Sequence, residues 1–297
     1  MIYLATIVCV LCAACSAAPQ VVPTPAPTPA PTPAPAPMPA PTPPAEAESV
    51  GALLDRLEER GRTMRDFSAA VVVEQFDALT EEREVRRARV VMKGGDGPKR
   101  IIGIVIDEFI DSSGRGATDG RRFLFKDGWL MELEPARKQM VRRQLARTGE
   151  SLDPLRPGDG PFIVPLGQPR AEVEREFVVT AVPIPVHNFF QPLRAAADGL
   201  CALQLMAREG TEAHRSIRRM TLVFDSATLA PRGVEVVKPN GDTERVLLRE
   251  SVIDGGIDEK QATVIELPDM TGWRIDERPL PREADASPAH SPSEPRG

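Results

Sequence analysis

Residues 68–76, 84–93 and 100–109 read SAAVVVEQF, EVRRARVVMK and RIIGIVIDEF, and their spacing decides the fold. In the second stretch Ala88, Val90 and Met92 fall on one side of an extended chain, while Arg87, Arg89 and Lys93 fall on the other. That two-residue period is the mark of a strand with one dry face and one wet face. Working outward, RRFLFKDG, WLMELEP, KQMVRRQLA, REFVVTAVP, LCALQLMA, IRRMTLVFD, PRGVEVVKP, ERVLLRESV and ATVIELP bring the candidates to about twelve. Turn signals (GGDG, TDG, KDG, NGD, DGG) separate them, and no helices alternate with them as βαβ units require. The expectation is a mainly β, α+β chain with an antiparallel sheet curling into an unclosed barrel of about eleven strands.

One long helix precedes the strands. In AEAESVGALLDRLEERGRTMRDF, Val50, Leu53, Leu54, Leu57 and Met64 form one stripe, with Asp55, Arg56, Glu58 and Glu59 opposite. Gly61 weakens its last turn. Two interruptions break the run of strands. SLDPLRPGDGPFIVPLGQPRAEVEREF carries Phe162 among Pro and Gly and ends in a short amphipathic helix after Gln168-Pro169. IPVHNFFQPLRAAADG is an apolar loop that either packs across an open side of the sheet or helps the first helix cover a cavity.

The N-terminus is built differently. Every Asp, Glu, Lys and Arg lies in residues 46–297. Residues 2–14 are an apolar run of 13 ending in Ala13-Ala14, with Cys15 next, too short to span a bilayer but suited to a signal-peptide core. Small-small-Cys resembles the lipobox of bacterial lipoproteins, which implies lipidation of Cys15; the alternative is cleavage after Ala17. Thirteen prolines follow between Pro19 and Pro44. They forbid helix and sheet and leave a polyproline II spacer reaching roughly 90 Å over residues 16–45. The expected organisation is therefore 1–15 signal peptide, 16–45 linker, 46–280 folded domain and 281–297 disordered tail.

Several function classes fall away. A net charge of −6 and 4% aromatics offer neither the basic face nor the stacking platform of a nucleic-acid binder. Three histidines (His187, His214, His290) accompany no H-E-x-x-H, G-x-S-x-G or P-loop motif. No enzymatic activity, metal or cofactor is expected. Cys201 reads as an apolar filler.

The order of several segments carries a resemblance. ATDGRRFLFKDGWLMELEPARKQMVRRQLA, GDGPFIVPLGQPRAEVEREFVV, MTLVFDSATLAPRGVEVV and LPDMTGWRIDERPL resemble, in sequence, segments of planctomycete-type proteins of the LolA/LolB-like lipoprotein carrier superfamily. The resemblance covers about residues 46–280. It implies an unclosed β-barrel with a helical lid over an apolar cavity that shields acyl chains of lipoproteins or other lipids. It also implies a monomer on the periplasmic side of the envelope, here anchored through Cys15. From strand alternation the expected cavity residues are Val72, Val90, Met92, Ile104, Phe123, Phe125, Met206, Met220 and Leu222, with Leu53, Leu57 and Phe162 in the lid. One family feature does not carry over. Where the family has an arginine just before a proline after the second strand, bonded to the lid, Pro98 here follows Gly97. The same fold serves stress sensors of the RseB type as a partner-binding module, for which the apolar HNFFQPL loop would be the docking surface.

Overall fold

A computed structural model describes residues 49–94, 100–147 and 167–280. The signal segment with Cys15, the proline-rich stretch, residues 95–97 of the GGDG turn, Phe162 and the C-terminal tail lie outside the described residues.

The first helix, α1, spans Val50–Thr63. Ser49 caps it by accepting a bond from the Ala52 N–H at 3.2 Å, and Leu53, Leu54 and Leu57 are buried as the stripe requires. Strands β1 (Asp66–Phe76), β2 (Arg83–Lys93), β3 (Ile101–Ile110), β4 (Gly116–Thr118), β5 (Arg122–Lys126), β6 (Trp129–Glu134) and β7 (Gln139–Gln144) then run as a meander. Helix α2 (Arg170–Glu176) leads into β8 (Phe177–Ala181). After a single turn at Asn188–Phe190 and helix α3 (Gln191–Ala195), the strands β9 (Leu200–Ala207), β10 (Arg219–Asp225), β11 (Pro231–Val237) and β12 (Thr243–Ile253) form a second meander. Helix α4 (Ala213–Ser216) interrupts it, and helix α5 (Glu259–Ile265) and β13 (Arg274–Arg278) follow it.

The sheet order is β13-β7-β6-β5-β3-β2-β1-β12-β11-β10-β9-β8, with β4 beside β3. Two meanders are thus joined at their inner ends by β1 and β12, and the sheet is unclosed. Thirteen strands replace the expected eleven, and one pairing departs from the antiparallel rule: β13 runs parallel to β7. ATVIELP is a further correction. It is not a strand; its first four residues form most of α5, because Asp258 and Gln261 make a reciprocal capping box that starts a helix three residues before the apolar run. Periodicity in so short an apolar run cannot separate the two, and the cap decides.

The two faces of the sheet are buried differently. On the face that α1 lies against, called inner here, one cluster extends over nine strands. On the outer face two smaller clusters occur. Val264 and Ile265 of α5 cover Val91, Leu124, Met131, Leu133 and Met140. Phe190 and Leu193 cover Ala202, Val223 and Leu247. Each of these covers meets the sheet at a glycine. A Cβ on Gly103 would stand 2.2 Å from the Val264 carbonyl oxygen, and one on Gly233 2.8 Å from Leu193 Cδ1.

Candidate functional site

The inner face is built rung by rung from strand register. Phe125, Ile102, Met92 and Phe67 stand side by side across β5, β3, β2 and β1. Phe123, Ile104, Val90 and Ala69 form the next rung. On the other side of β1, Val73, Val246, Val234, Leu222 and Leu203 continue across β12, β11, β10 and β9. Val236, Met220, Leu205 and Val179 make a parallel rung reaching β8.

Seven of the nine expected cavity residues therefore share this face: Val90, Met92, Ile104, Phe123, Phe125, Met220 and Leu222, together with Leu53 and Leu57 of α1. Met92, Phe125 and Met220 are fully buried, whereas Val90, Ile104, Phe123, Val73 and Val179 are only partly so. The half-buried set is where the face is most open to solvent.

Two expected residues lie on the other side of the sheet. Val72 packs with the Phe190 cluster on the outer face, and Met206 is outward and 39% exposed. In both strands neighbouring apolar residues occupy both faces, as in Val71-Val72-Val73 and Leu205-Met206, so composition does not fix the register and a one-residue slip inverts the set. Residues missed on the inner face include Phe67, Leu203, Leu205, Phe224 and Leu248; alternation from Leu222 across β9 would have found Leu203 and Leu205.

The IPVHNFFQPLRAAADG loop does not cover the inner face. Phe190 and Leu193 are 0% and 4% exposed against the outer one, so they are not offered to a partner. Arg194 braces the loop by donating to the carbonyls of Pro185 and His187 at 3.2 and 3.1 Å. The Nδ1 of His187 accepts the Phe189 N–H at 3.2 Å. Desolvation, then the Arg245 guanidinium, hold this imidazole below its ordinary pKa of 6.5 and keep it neutral.

Polar bonds tie α1 down along its rims. Arg170 bridges to Asp55 at 2.9 Å, and its backbone N–H donates to Glu58 at 2.8 Å. Arg56 donates to the Ser226 carbonyl at 3.0 Å, and Arg60 pairs with Asp254 at 2.9 Å. Burial works against the Asp254 charge, but the Arg65 N–H and the Arg60 and Arg65 guanidiniums hold its carboxyl below the usual range. At the C-terminal end Arg100, 3% exposed, donates from Nη2 to the Gly61 carbonyl at 3.1 Å. No arginine stands just before Pro98, as the sequence shows, but Arg100, two residues after it, reaches the helix at the end where the macrodipole favours a cation.

At the opposite strand ends the inner face gives way to polar groups. Arg86 bonds Gln75 and Glu84 and lies 5.3 Å from the Phe109 ring. Burial pushes the nearby Glu244 carboxyl up. Cys201 sits partly buried at the edge of the inner cluster, its thiol 3.8 Å from the Phe224 carbonyl. Beside the Phe190 cluster the outer face carries a row of ion pairs across β10, β11, β12 and β1: Arg219–Glu235 (3.0 Å), Glu235–Arg245 (3.0 Å) and Arg245–Glu74 (2.8 Å). Among the described residues no group of three or more His, Cys, Asp or Glu could hold a metal ion. No helix among them is long and apolar enough to cross a membrane.

No family model matches the sequence, and no curated protein matches it. Solved structures do. A domain assigned to outer membrane lipoprotein sorting, from Vibrio parahaemolyticus, is similar at 12% identity and a TM-score of 0.36, over 73% of this chain and 98% of that one. A LolA superfamily protein from Nitrosomonas europaea is similar at 14% identity and a TM-score of 0.30, over 72% and 97%. MucB, in complex with MucA, is similar at 12% identity and a TM-score of 0.41, over 75% and 61%. At these scores nothing about ligand or partner is read from them. The architecture expected from the sequence, an unclosed and mainly antiparallel sheet with a helix across one face, is the one observed.

Proposed function

We propose that the chain is an exported envelope protein that shelters acyl chains, of lipoproteins or of other lipids, on the inner face of its sheet. One observation carries this reading: a single apolar surface nine strands wide, capped by one amphipathic helix. Its lining is aliphatic and aromatic, so recognition would work by excluding water and not by reaction chemistry. Each methylene removed from water is worth about 0.8 kcal/mol, which suits a long acyl chain and gives little purchase on a small polar molecule. The half-buried strip of Val90, Ile104 and Phe123 is the expected entry, because it can admit a guest without first emptying a filled core.

In this reading the Cys15 thiol carries the lipid anchor, and residues 16–45 hold the domain some tens of ångströms from the membrane. An anchored carrier is an acceptor more than a shuttle. Native mass spectrometry of the purified full chain tests the binding: co-purifying lipid of acyl mass supports it, and a chain that stays empty after incubation with lysolipid overturns it. The anchor is tested apart, since a Cys15→Ala chain that still fractionates with membranes contradicts lipidation without touching the cavity.

A further inference from the structure

Among the described residues the sheet ends in two edge strands, β13 and β8, and they are built on opposite principles. β13 reads RIDER, four charged residues in five, all exposed. β8 reads FVVTA and carries no charge. Charges along an edge are a standard protection against strand addition, and β8 lacks that protection.

Its backbone is also open. The bonds Arg208 N–H to Glu176 carbonyl (2.9 Å) and Val182 N–H to Ala202 carbonyl (3.0 Å) fix the parity of the β8–β9 ladder. Val178 and Thr180 therefore turn their peptide groups toward β9, while Phe177, Val179 and Ala181 turn theirs away. Phe177 is already satisfied: its N–H bonds the Val173 carbonyl, and its own carbonyl accepts from Arg208 Nε at 3.2 Å. Val179 and Ala181 present two donors and two acceptors outward, with no partner strand among the described residues. Beside them, Val178 is 44% exposed, directly opposite Met206 at 39%.

We propose that β8 is a self-association edge, at which two copies of this chain pair β8 with β8 antiparallel about a two-fold axis at Thr180. In that register Val179 of each copy faces Ala181 of the other, and all four free groups bond at once. No other register of two identical strands satisfies both residues of both copies. Thr180 then stands opposite its own counterpart in a non-hydrogen-bonded pair, where side chains approach most closely. The charged β13 cannot serve as the partner edge, so association closes as a dimer and does not run on as a fibre. A five-residue edge buries far less than a standard interface, so the dimer is weak and concentration-dependent. It takes the place of the monomer expected from the sequence.

The test uses the purified full chain in sedimentation velocity and amide exchange over about a hundredfold range of concentration. The expected result is a monomer-to-dimer shift, with exchange at Val179 and Ala181 slowed about tenfold or more at the high end. Thr180→Lys and Thr180→Glu chains should each stay monomeric and form a mixed dimer when combined, since like charges opposite each other repel and unlike ones attract. Ala181→Pro should also stay monomeric while keeping the β8–β9 ladder, because the N–H it removes points outward. A monomer throughout, a dimer that survives both Thr180→Lys and Ala181→Pro, or edge amides protected independently of concentration would each overturn the proposal. The last would mean that the chain covers its own edge.

Discussion

The outer face of the sheet is closed by fitted plugs, whereas the inner face is closed by a helix laid across it. Phe190 with Leu193, and Val264 with Ile265, each press on a glycine, Gly233 and Gly103, where no side chain separates cover from backbone. Such contacts are specific and hard to open. Helix α1 instead rests on a broad surface of side chains and is secured at its margins by Arg170, Arg56, Arg60 and Arg100. Its leucines Leu53, Leu54 and Leu57 are buried in the inner cluster, so the helix is held by apolar packing as well as by these rim bonds. In the proposed carrier role, the outer face provides rigidity and the inner one the surface that is uncovered.

Substitutions should separate the two. The largest effect belongs to the outer plug: Phe190→Ala is expected to cost about 3–5 kcal/mol in denaturant unfolding, while the folded fraction still binds an acyl probe. Equal loss of binding per folded molecule would break the division. Next is Gly103→Ala, whose Cβ meets a backbone oxygen and forces α5 outward; about 1–3 kcal/mol should be lost, with faster amide exchange confined to α5 and the strands below it. Arg100→Met comes third. It leaves the Gly61 carbonyl without its buried donor, for about 1 kcal/mol or somewhat more, and it should speed probe entry more than it lowers stability. An Arg100→Met chain with unchanged entry kinetics would remove the arginine from any role in opening.

The smallest effect is a pH dependence on the outer face. His187 is held neutral in the fold, so its contribution is present above its ordinary pKa of 6.5 and is lost as acid protonates it in the unfolded chain first. Thermal stability should therefore decline as the pH falls from 7 toward 5. His187→Asn, which keeps an acceptor for the Phe189 N–H and does not titrate, should flatten part of that decline.

Much of this division was legible in the sequence, and the losses have physical causes. β2 and β10 alternate cleanly, so spacing alone groups Val90, Met92, Met220 and Leu222 on one face, the face that α1 lies against. Val72 and Met206 escape such grouping, because β1 and β9 are apolar on both faces and only the register with neighbouring strands tells them apart. The IPVHNFFQPLRAAADG loop showed its apolarity but not its side; what decides that is Gly233, 40 residues after Leu193, which makes room only on the outer face. Arg100 was passed over because its role depends on reaching across 39 residues to a helix carbonyl, a contact no local pattern encodes. The parallel pairing of β13 with β7 is likewise a long-range choice.

The central claim is that acyl chains occupy the inner face beneath α1, entering past Val90, Ile104 and Phe123. The most direct measurement is titration of a fluorescent acyl-chain analogue into the wild type, an Ile104→Lys chain and a Val178→Lys chain, with folding of all three verified by circular dichroism. The account predicts saturable binding by the wild type and by Val178→Lys, and a loss of at least tenfold in affinity for Ile104→Lys, since a buried ammonium opposes an apolar guest. Equal affinity in all three chains, or no binding by the wild type, would contradict it.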